Sequence, residues 1–316
     1  MRAVIYDGTA ARYTEDAPRP VADLAAGQSL IRIEYATICS TDREILRGYR
    51  PDFQGVMGHE FVGIVEASCE AALVGQRVVG ELNINCGSCL YCRTGRPHHC
   101  KRRRVIGIDG HDGTFADYLV HETRLLHTVP DDLPPEVAVF TEPLAAALRI
   151  VEQVHFDPDA PVALIGDGRL ALMIGQVVAL TGAPLTVIGR IPEKLELFKD
   201  FSVARLLEPS GTYEIVIDAT GTPESLPTAL ALTRSEGTLV IKSTYAGDAR
   251  IDMSEVVVRE ITIRGSRCGP FEPALRLLQR GLVKLPPVEL HAPADFQAAF
   301  DSRAFKAALD FTENKV

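Results

Sequence analysis

The chain predicts an α/β protein, a doubly wound parallel-sheet domain inserted into a β-rich domain. Two rhythms carry that prediction. Apolar residues fall in short strands over 1–142, whereas over 143–267 apolar strands alternate with helix-like stretches, before short elements return over 268–316. Buried strands separated by helices need crossover connections, and crossovers make a parallel sheet. A length of 316 residues suits two domains at roughly 150 residues each.

In order, RAVIY (2–6) and SLIRIEY (29–35) read as strands, the second with Ile31, Ile33 and Tyr35 on one face and Arg32 and Glu34 on the other. FVGIVEA (61–67) and QRVVG (76–80) follow, punctuated by Gly and Pro. The second rhythm supplies VALIG (162–166), LTVIG (185–189), IVIDATG (215–221), TLVIKS (238–243) and ITIRG (261–265). Helical period marks LALMIGQVVALTG, PEKLELFKDF and PESLPTALALTR between them, and a last helix is expected over Pro273 to Arg280. No repeat or low-complexity tract interrupts the pattern.

Composition narrows the function. Hydrophobic residues make up 46% and charged residues 24%, the balance of a globular protein with its own core. Lys+Arg 33 against Asp+Glu 42 gives −9, which argues against nucleic acid or an anionic membrane as partner. No apolar run reaches the ~18 residues of a membrane span. MRAVIYDGTA lacks the layout of a signal peptide, so a cytoplasmic location is expected. Seven cysteines in a reducing compartment point to metal or catalysis rather than disulfides.

Four of them, Cys86, Cys89, Cys92 and Cys100, fall within one short segment. Four thiolates can close a tetrahedron around Zn²⁺, as a structural site does. His98 and His99 could replace a sulfur, but four sulfurs suffice, and both read as surface residues. The adjoining run Lys101–Arg104 reads as a solvated face that also offsets the charge of a zinc–thiolate centre.

The strand VALIG runs into Gly166-Asp167-Gly168-Arg169-Leu170-Ala171 and then a helix, a G-x-G-x-x-A dinucleotide fingerprint. Gly166 permits the tight turn, Gly168 admits the pyrophosphate to the backbone, and Ala171 keeps helix and strand close. The helix N-terminus supplies N–H groups and dipole to the phosphates. An NAD site places an acid at the end of the next strand, whereas LTVIG ends Gly189-Arg190. Arg190, helped by Lys194, suits a 2′-phosphate, so the reading favours NADP(H) over NAD(H).

Three further fragments, Cys39-Ser40-Thr41-Asp42, Gly58-His59-Glu60 and Glu142-Pro143-Leu144-Ala145, complete a set. With GHEFVGIVE, CGSCLYCRTGRPHHC, DGTFADY and IGDGRLALMIGQ, they occur in the order of the zinc-dependent medium-chain dehydrogenase/reductase family, which the whole chain resembles. The resemblance implies a Rossmann domain over 143–267 and a GroES-like catalytic domain over 1–142 and 268–316. It also implies catalytic zinc on Cys39 and His59, with Glu60 as a ligand in polyol-type members and Glu142 as an exchangeable one. Thr41 matches the hydroxyl that links substrate oxygen to the cofactor ribose. Where many relatives continue that relay with a His, this chain has Glu44. Asp42 is read as fixing the loop, and Cys69 and Cys268 match no ligand position.

The function so implied is hydride transfer between NADP(H) or NAD(H) and a small alcohol or polyol, or its aldehyde or ketone. Two zinc ions per chain and a homodimer or homotetramer go with it. Two alternatives stand beside it. One is a zinc-retaining nucleotide-binding sensor without efficient turnover. The other is a zinc-free quinone or double-bond reductase, opposed by the presence of Cys39 and the four-cysteine segment.

Overall fold

The structure is a computed structural model and describes residues 1–244 and 248–312. The tail of the expected 268–316 segment, residues 313–316, lies outside the described residues. The chain forms two compact units, Met1–Glu142 with Phe271–Val316, and Pro143–Pro270.

The first unit is built on one large sheet. Its strands run in the order Leu126–Thr128, Arg77–Gly80, Phe61–Ser68, Gln28–Thr37, Lys306–Asp310 and Val288–His291, and Tyr118–Glu122 also pairs with Gln28–Thr37. All these pairings are antiparallel except that of the last two strands. Inward residues of this sheet, among them Ile31, Ile33, Val65 and Leu309, pack with Phe61, Phe115 and Ile106 into one apolar cluster. Each such side chain contributes about 1.5–3 kcal/mol through burial.

The alternation read from SLIRIEY holds only as far as Ile33. The register against Phe61–Ser68 shifts between Ile33 and Tyr35, and beyond that shift Ala36 and Ile38 join the core cluster while Tyr35 does not. An extra residue in one strand turns the following side chains to the other face. Tyr35 instead donates its hydroxyl to Glu136 at 3.2 Å. Glu34, expected on the outer face, is 9% exposed because Arg77, two strands away across Phe61–Ser68, covers it with a two-pronged contact at 2.6 and 3.0 Å. Fork geometry of this kind is the strongest form of carboxylate pairing.

The second unit holds a six-stranded sheet in the order Ala204–Leu206, Leu185–Ile188, Val162–Ile165, Tyr213–Asp218, Thr233–Ile241, Thr262–Gly265. Every pairing in it is parallel. Val162–Ile165 and Leu185–Ile188 are buried throughout, as strands covered on both faces must be. Ala204–Leu206 was not foreseen. It is a three-residue edge strand, half-buried, with no apolar run to announce it.

The helix Arg169–Ala179 buries Ala171 through Val178. A Cβ at Gly175 would stand 2.9 Å from Phe201, so glycine there lets the Phe198–Phe201 pair reach the helix. The stretch PEKLELFKDF is helical but not one α-helix: a short α-helix, Pro192–Leu195, passes into 3₁₀ over Glu196–Phe198, and Phe198 is fully buried.

His121, on Tyr118–Glu122, is a buried neutral base whose burial pushes its pKa down to about 3, with the cationic neighbourhood of His111 and Arg124 acting in the same sense. Its Nε2 lies 3.0 Å from the Glu81 carbonyl. Because the folded value lies below the ordinary 6.5, protons bind the unfolded chain first. Stability should therefore be at its full value above pH 6.5 and fall as pH drops toward the folded value, by about 2 kcal/mol at pH 5. His121→Gln should flatten that slope in urea unfolding measured from pH 7.5 to 5; an unchanged slope would refute this account.

Candidate functional site

Two chain segments converge in the first unit. The strand Gln28–Thr37 runs through Ile38 to Cys39, which opens the helix Ser40–Leu46. His59 and Glu60 directly precede the strand Phe61–Ser68, whose neighbour in the sheet is Gln28–Thr37. Gly58 sets their approach, with φ +89°, and a Cβ there would lie 2.4 Å from the Phe115 ring. Only glycine tolerates both conditions. One ligand atom each of Cys39, His59 and Glu60 lies within 4.8 Å of the others.

Charge at this point is arranged tightly. Glu60 is 1% exposed and Lys306 3% exposed, and Lys306 Nζ stands 2.5 Å from Glu60 Oε2. Thr37 donates its hydroxyl to the same oxygen. Burial alone would raise the Glu60 pKa, but Lys306, His59 and the two hydrogen bonds outweigh it, and the carboxyl is held below its ordinary value. The other oxygen, Oε1, is buried with no hydrogen-bond partner. An acceptor left bare in such a place is costly unless something electropositive meets it.

Asp42, fully buried, accepts the Cys39 backbone N–H at 2.7 Å, the reach-back contact of a helix capping box. Its other oxygen lies 3.3 Å from His59 Nδ1, which leaves Nε2 as the nitrogen for a metal. Burial lowers the His59 pKa, but Asp42 and then Cys39 outweigh it and hold it well above the usual value. A carboxylate behind a histidine fixes tautomer and orientation in metal sites. Loop fixing and histidine orientation thus belong to one residue. Thr41 accepts from Cys39 Sγ at 3.8 Å. Glu44 pairs with Arg47 at 2.7 Å.

Glu142, expected as an exchangeable ligand, lies in the first turn of the helix Thr141–Gln153 and does not stand within the three-residue group. Lys306 was overlooked. Its visible signal was a lone lysine among the apolar residues of AFKAALDF; alternation sets it on the face opposite Ala307 and Leu309, so nothing short-range announces its burial.

The donor set of one sulfur, one imidazole and one bare carboxylate oxygen fits Zn²⁺ with a position to spare. The cysteine segment fits it too. Cys86, Cys89, Cys92 and Cys100 bring their sulfurs within 4.8 Å of one another, and Cys89–Cys92 and Cys86–Cys92 stand at 3.4 and 3.9 Å, too far for disulfides. Backbone N–H groups, Ser88 first, hold the Cys86 thiol down to about 5. Cys92 is pushed up to about 11, by desolvation first and then by Cys89 and Cys100. Arg102, within the basic run, reaches Cys86 Sγ at 3.2 Å and Ser88 at 2.7 Å.

In the second unit Gly166 has φ +129°, and a Cβ on it would meet the Ala219 carbonyl at 2.9 Å. Gly168 caps the helix Arg169–Ala179 without a side-chain hydrogen bond, and a Cβ there would meet nothing within 4 Å. Open space and bare N–H groups at a helix N-terminus fit a pyrophosphate. Arg190 and Lys194 are both exposed. The space of the missing strand-end acid is taken by Asp167, whose carboxylate accepts from Arg190 N at 2.7 Å and Ile191 N at 2.9 Å. An acid inside the glycine motif was the visible but unused signal.

Residues 25–131 match the alcohol dehydrogenase GroES-like domain, and residues 170–280 match the zinc-binding dehydrogenase family. The chain belongs to the zinc-dependent medium-chain dehydrogenase/reductase family. Like its relatives it is an oxidoreductase. It is 28% identical to an erythritol/L-threitol dehydrogenase of Mycolicibacterium smegmatis, over 95% of this chain and 93% of that one. It is 29% identical to an L-threonine 3-dehydrogenase of Shewanella loihica, over 91% of each. Among solved structures, alcohol dehydrogenase TADH from Thermus sp. ATN1 superposes with TM-score 0.85 at 28% identity, covering 98% of this chain and 99% of that chain. A candidate zinc-binding dehydrogenase from Sinorhizobium meliloti 1021, bound to NADP, does so with TM-score 0.86 at 26% identity, covering 98% of each.

Removing Lys306 would leave Glu60 charged, buried and without its partner. Lys306→Met should destabilise the protein by about 3–5 kcal/mol, and Glu60→Gln added to it should recover part of the loss. Urea unfolding of both variants checks this; additive losses would show that the two side chains do not act as a pair.

Proposed function

We propose that this chain is a zinc-dependent dehydrogenase of small polyols or comparable secondary alcohols that uses a nicotinamide dinucleotide, with its zinc ligands in the first unit and its dinucleotide fingerprint in the second. The observation that carries the reading is the compact Cys39–His59–Glu60 group with its bare, buried Glu60 oxygen. The polyol and hydroxy-amino-acid substrates named for its relatives support the substrate class. A cytoplasmic setting is part of this reading, and no helix among the described residues is long and apolar enough to cross a membrane.

Cys39 Sγ, His59 Nε2 and Glu60 Oε1 would hold the catalytic zinc, and Glu142, outside that group, takes the exchanging role. Zinc there supplies the Lewis acidity that eases loss of a hydroxyl proton from an alcohol. The remaining work belongs to the chain. Thr41 receives the substrate proton at its Oγ1 and hands it outward, while Glu44, tied to Arg47, leaves the continuation of that relay to solvent. Asp42 keeps His59 in the tautomer a metal needs. Lys306 and Thr37 keep Glu60 ionised and turn its second oxygen inward. Gly166, Gly168 and Ala171 would seat the pyrophosphate of a dinucleotide, which would supply the hydride-transfer chemistry. The four cysteines hold a second, structural zinc, with Arg102 compensating the thiolate charge.

Metal analysis of the purified protein should give about two zinc per chain on this ligand count. Cys39→Ala should bring it to one and abolish turnover of tetritols, L-threonine and simple secondary alcohols while the fold survives. Cys89→Ala should lose the other zinc and lower the unfolding temperature, because a structural metal contributes to folding directly. Full zinc occupancy with no turnover of any such alcohol or carbonyl by either cofactor would favour the sensor reading instead.

A further inference from the structure

In a strand–turn–helix dinucleotide site, the acid at the end of the second strand accepts hydrogen bonds from the adenosine ribose hydroxyls and so recognises a ribose without a 2′-phosphate. Here the second strand, Leu185–Ile188, runs into Gly189, which has no side chain to offer. The volume such a side chain would fill is nevertheless occupied. A Cβ on Gly189 would stand 2.8 Å from Asp167 Cβ and 3.0 Å from Asp167 Oδ2. A carboxylate therefore lies where the acid belongs, delivered from the glycine loop rather than from the strand.

Its attachment is specific. Asp167 Oδ2 takes the N–H groups of Arg190 and Ile191 at 2.7 and 2.9 Å, which pins the carboxylate on the turn leaving the strand. Oδ1 accepts no hydrogen bond from the described residues, so it is available to a ligand hydroxyl. Asp167 is half-buried and within reach of solvent.

A 2′-phosphate would suffer here in two ways. It brings a phosphomonoester's charge of roughly −2 against a fixed carboxylate. It also finds the two backbone donors of the turn already taken. Arg190 and Lys194, the cations that would favour it, are exposed and make no ion pair among the described residues. Exposed cations gain little from an anion in water, whereas the held carboxylate needs no rearrangement to repel one.

We infer that Asp167 is a specificity-determining residue that stands in for the missing strand-end acid, selecting the unphosphorylated adenosine ribose of NAD(H) against the 2′-phosphate of NADP(H). This reverses the preference drawn from Arg190 alone. It rests on nicotinamide-dinucleotide use as proposed above.

Binding is the direct test, because it does not depend on finding a substrate. Calorimetric titration of the full-length protein with 5′-AMP and with 2′,5′-ADP, repeated with NADH and NADPH, gives two affinity ratios. Each 2′-phosphorylated ligand should bind at least ~10-fold more weakly than its partner, as like charges in a binding site cost. Raising the salt concentration should narrow the gap. Asp167→Asn keeps an acceptor for the two N–H groups but loses the charge, and it should shrink both ratios roughly tenfold; Asp167→Ala should shift them in the same direction. Should either variant unfold, as thermal unfolding will show, the wild-type ratios and their salt dependence still decide.

Equal or tighter binding of the 2′-phosphorylated ligands by the wild type overturns the assignment. So do ratios that both folded variants leave unchanged. Either result leaves dinucleotide binding intact. Failure of all four ligands to bind would overturn dinucleotide use and the assignment together.

Discussion

A buried negative charge at Glu60 is the constraint around which the first unit is arranged. An ionised carboxylate inside a protein is tolerable only when cations and donors surround it. Two of those partners come from different strands of one sheet, Thr37 from Gln28–Thr37 and Lys306 from Lys306–Asp310, which pair antiparallel. This explains why the chain returns to the first unit after residue 270. Without that last strand, Glu60 would keep its charge and lose its counterion. With it, one oxygen is saturated and the other is left without a hydrogen-bond partner, in a carboxylate grouped with Cys39 and His59.

The same economy of partners appears around His59. Asp42 meets both the Cys39 backbone and the imidazole, so a single side chain sets the helix start and the histidine's orientation. Ligand geometry and helix capping become one condition. Residues of the metal group are therefore supported by regular structure on each side, as preorganised sites require. The cysteine segment follows a different plan. Its four cysteines lie close in sequence on short turns, and the backbone N–H groups of those turns already favour a thiolate at Cys86.

Much of this was legible beforehand because its information is local. The glycine fingerprint, the four-cysteine spacing and the parallel-sheet rhythm depend on residues near one another in sequence, and covalent geometry keeps them together. Gly166 takes the positive φ that its tight turn requires. What local reading missed has one common cause. Tyr35 left the face assigned to it because a bulge forms only against the partner strand. Ala204–Leu206 is a strand only because Leu185–Ile188 offers an edge to it. The stretch after Pro192 tightened from α to 3₁₀ where Phe198 packs inward against the helix carrying Gly175.

The sequence by itself determined the family, the order of the motifs and the fold class, since each is written in residue identity and short spacing. Tertiary structure decided which charges face each other. Lys306 met Glu60, Asp42 met His59, and Asp167 came to fill the space beside Gly189. Electrostatic partners are set by distance through space, and a one-dimensional spacing carries no record of that distance until the sheets are assembled.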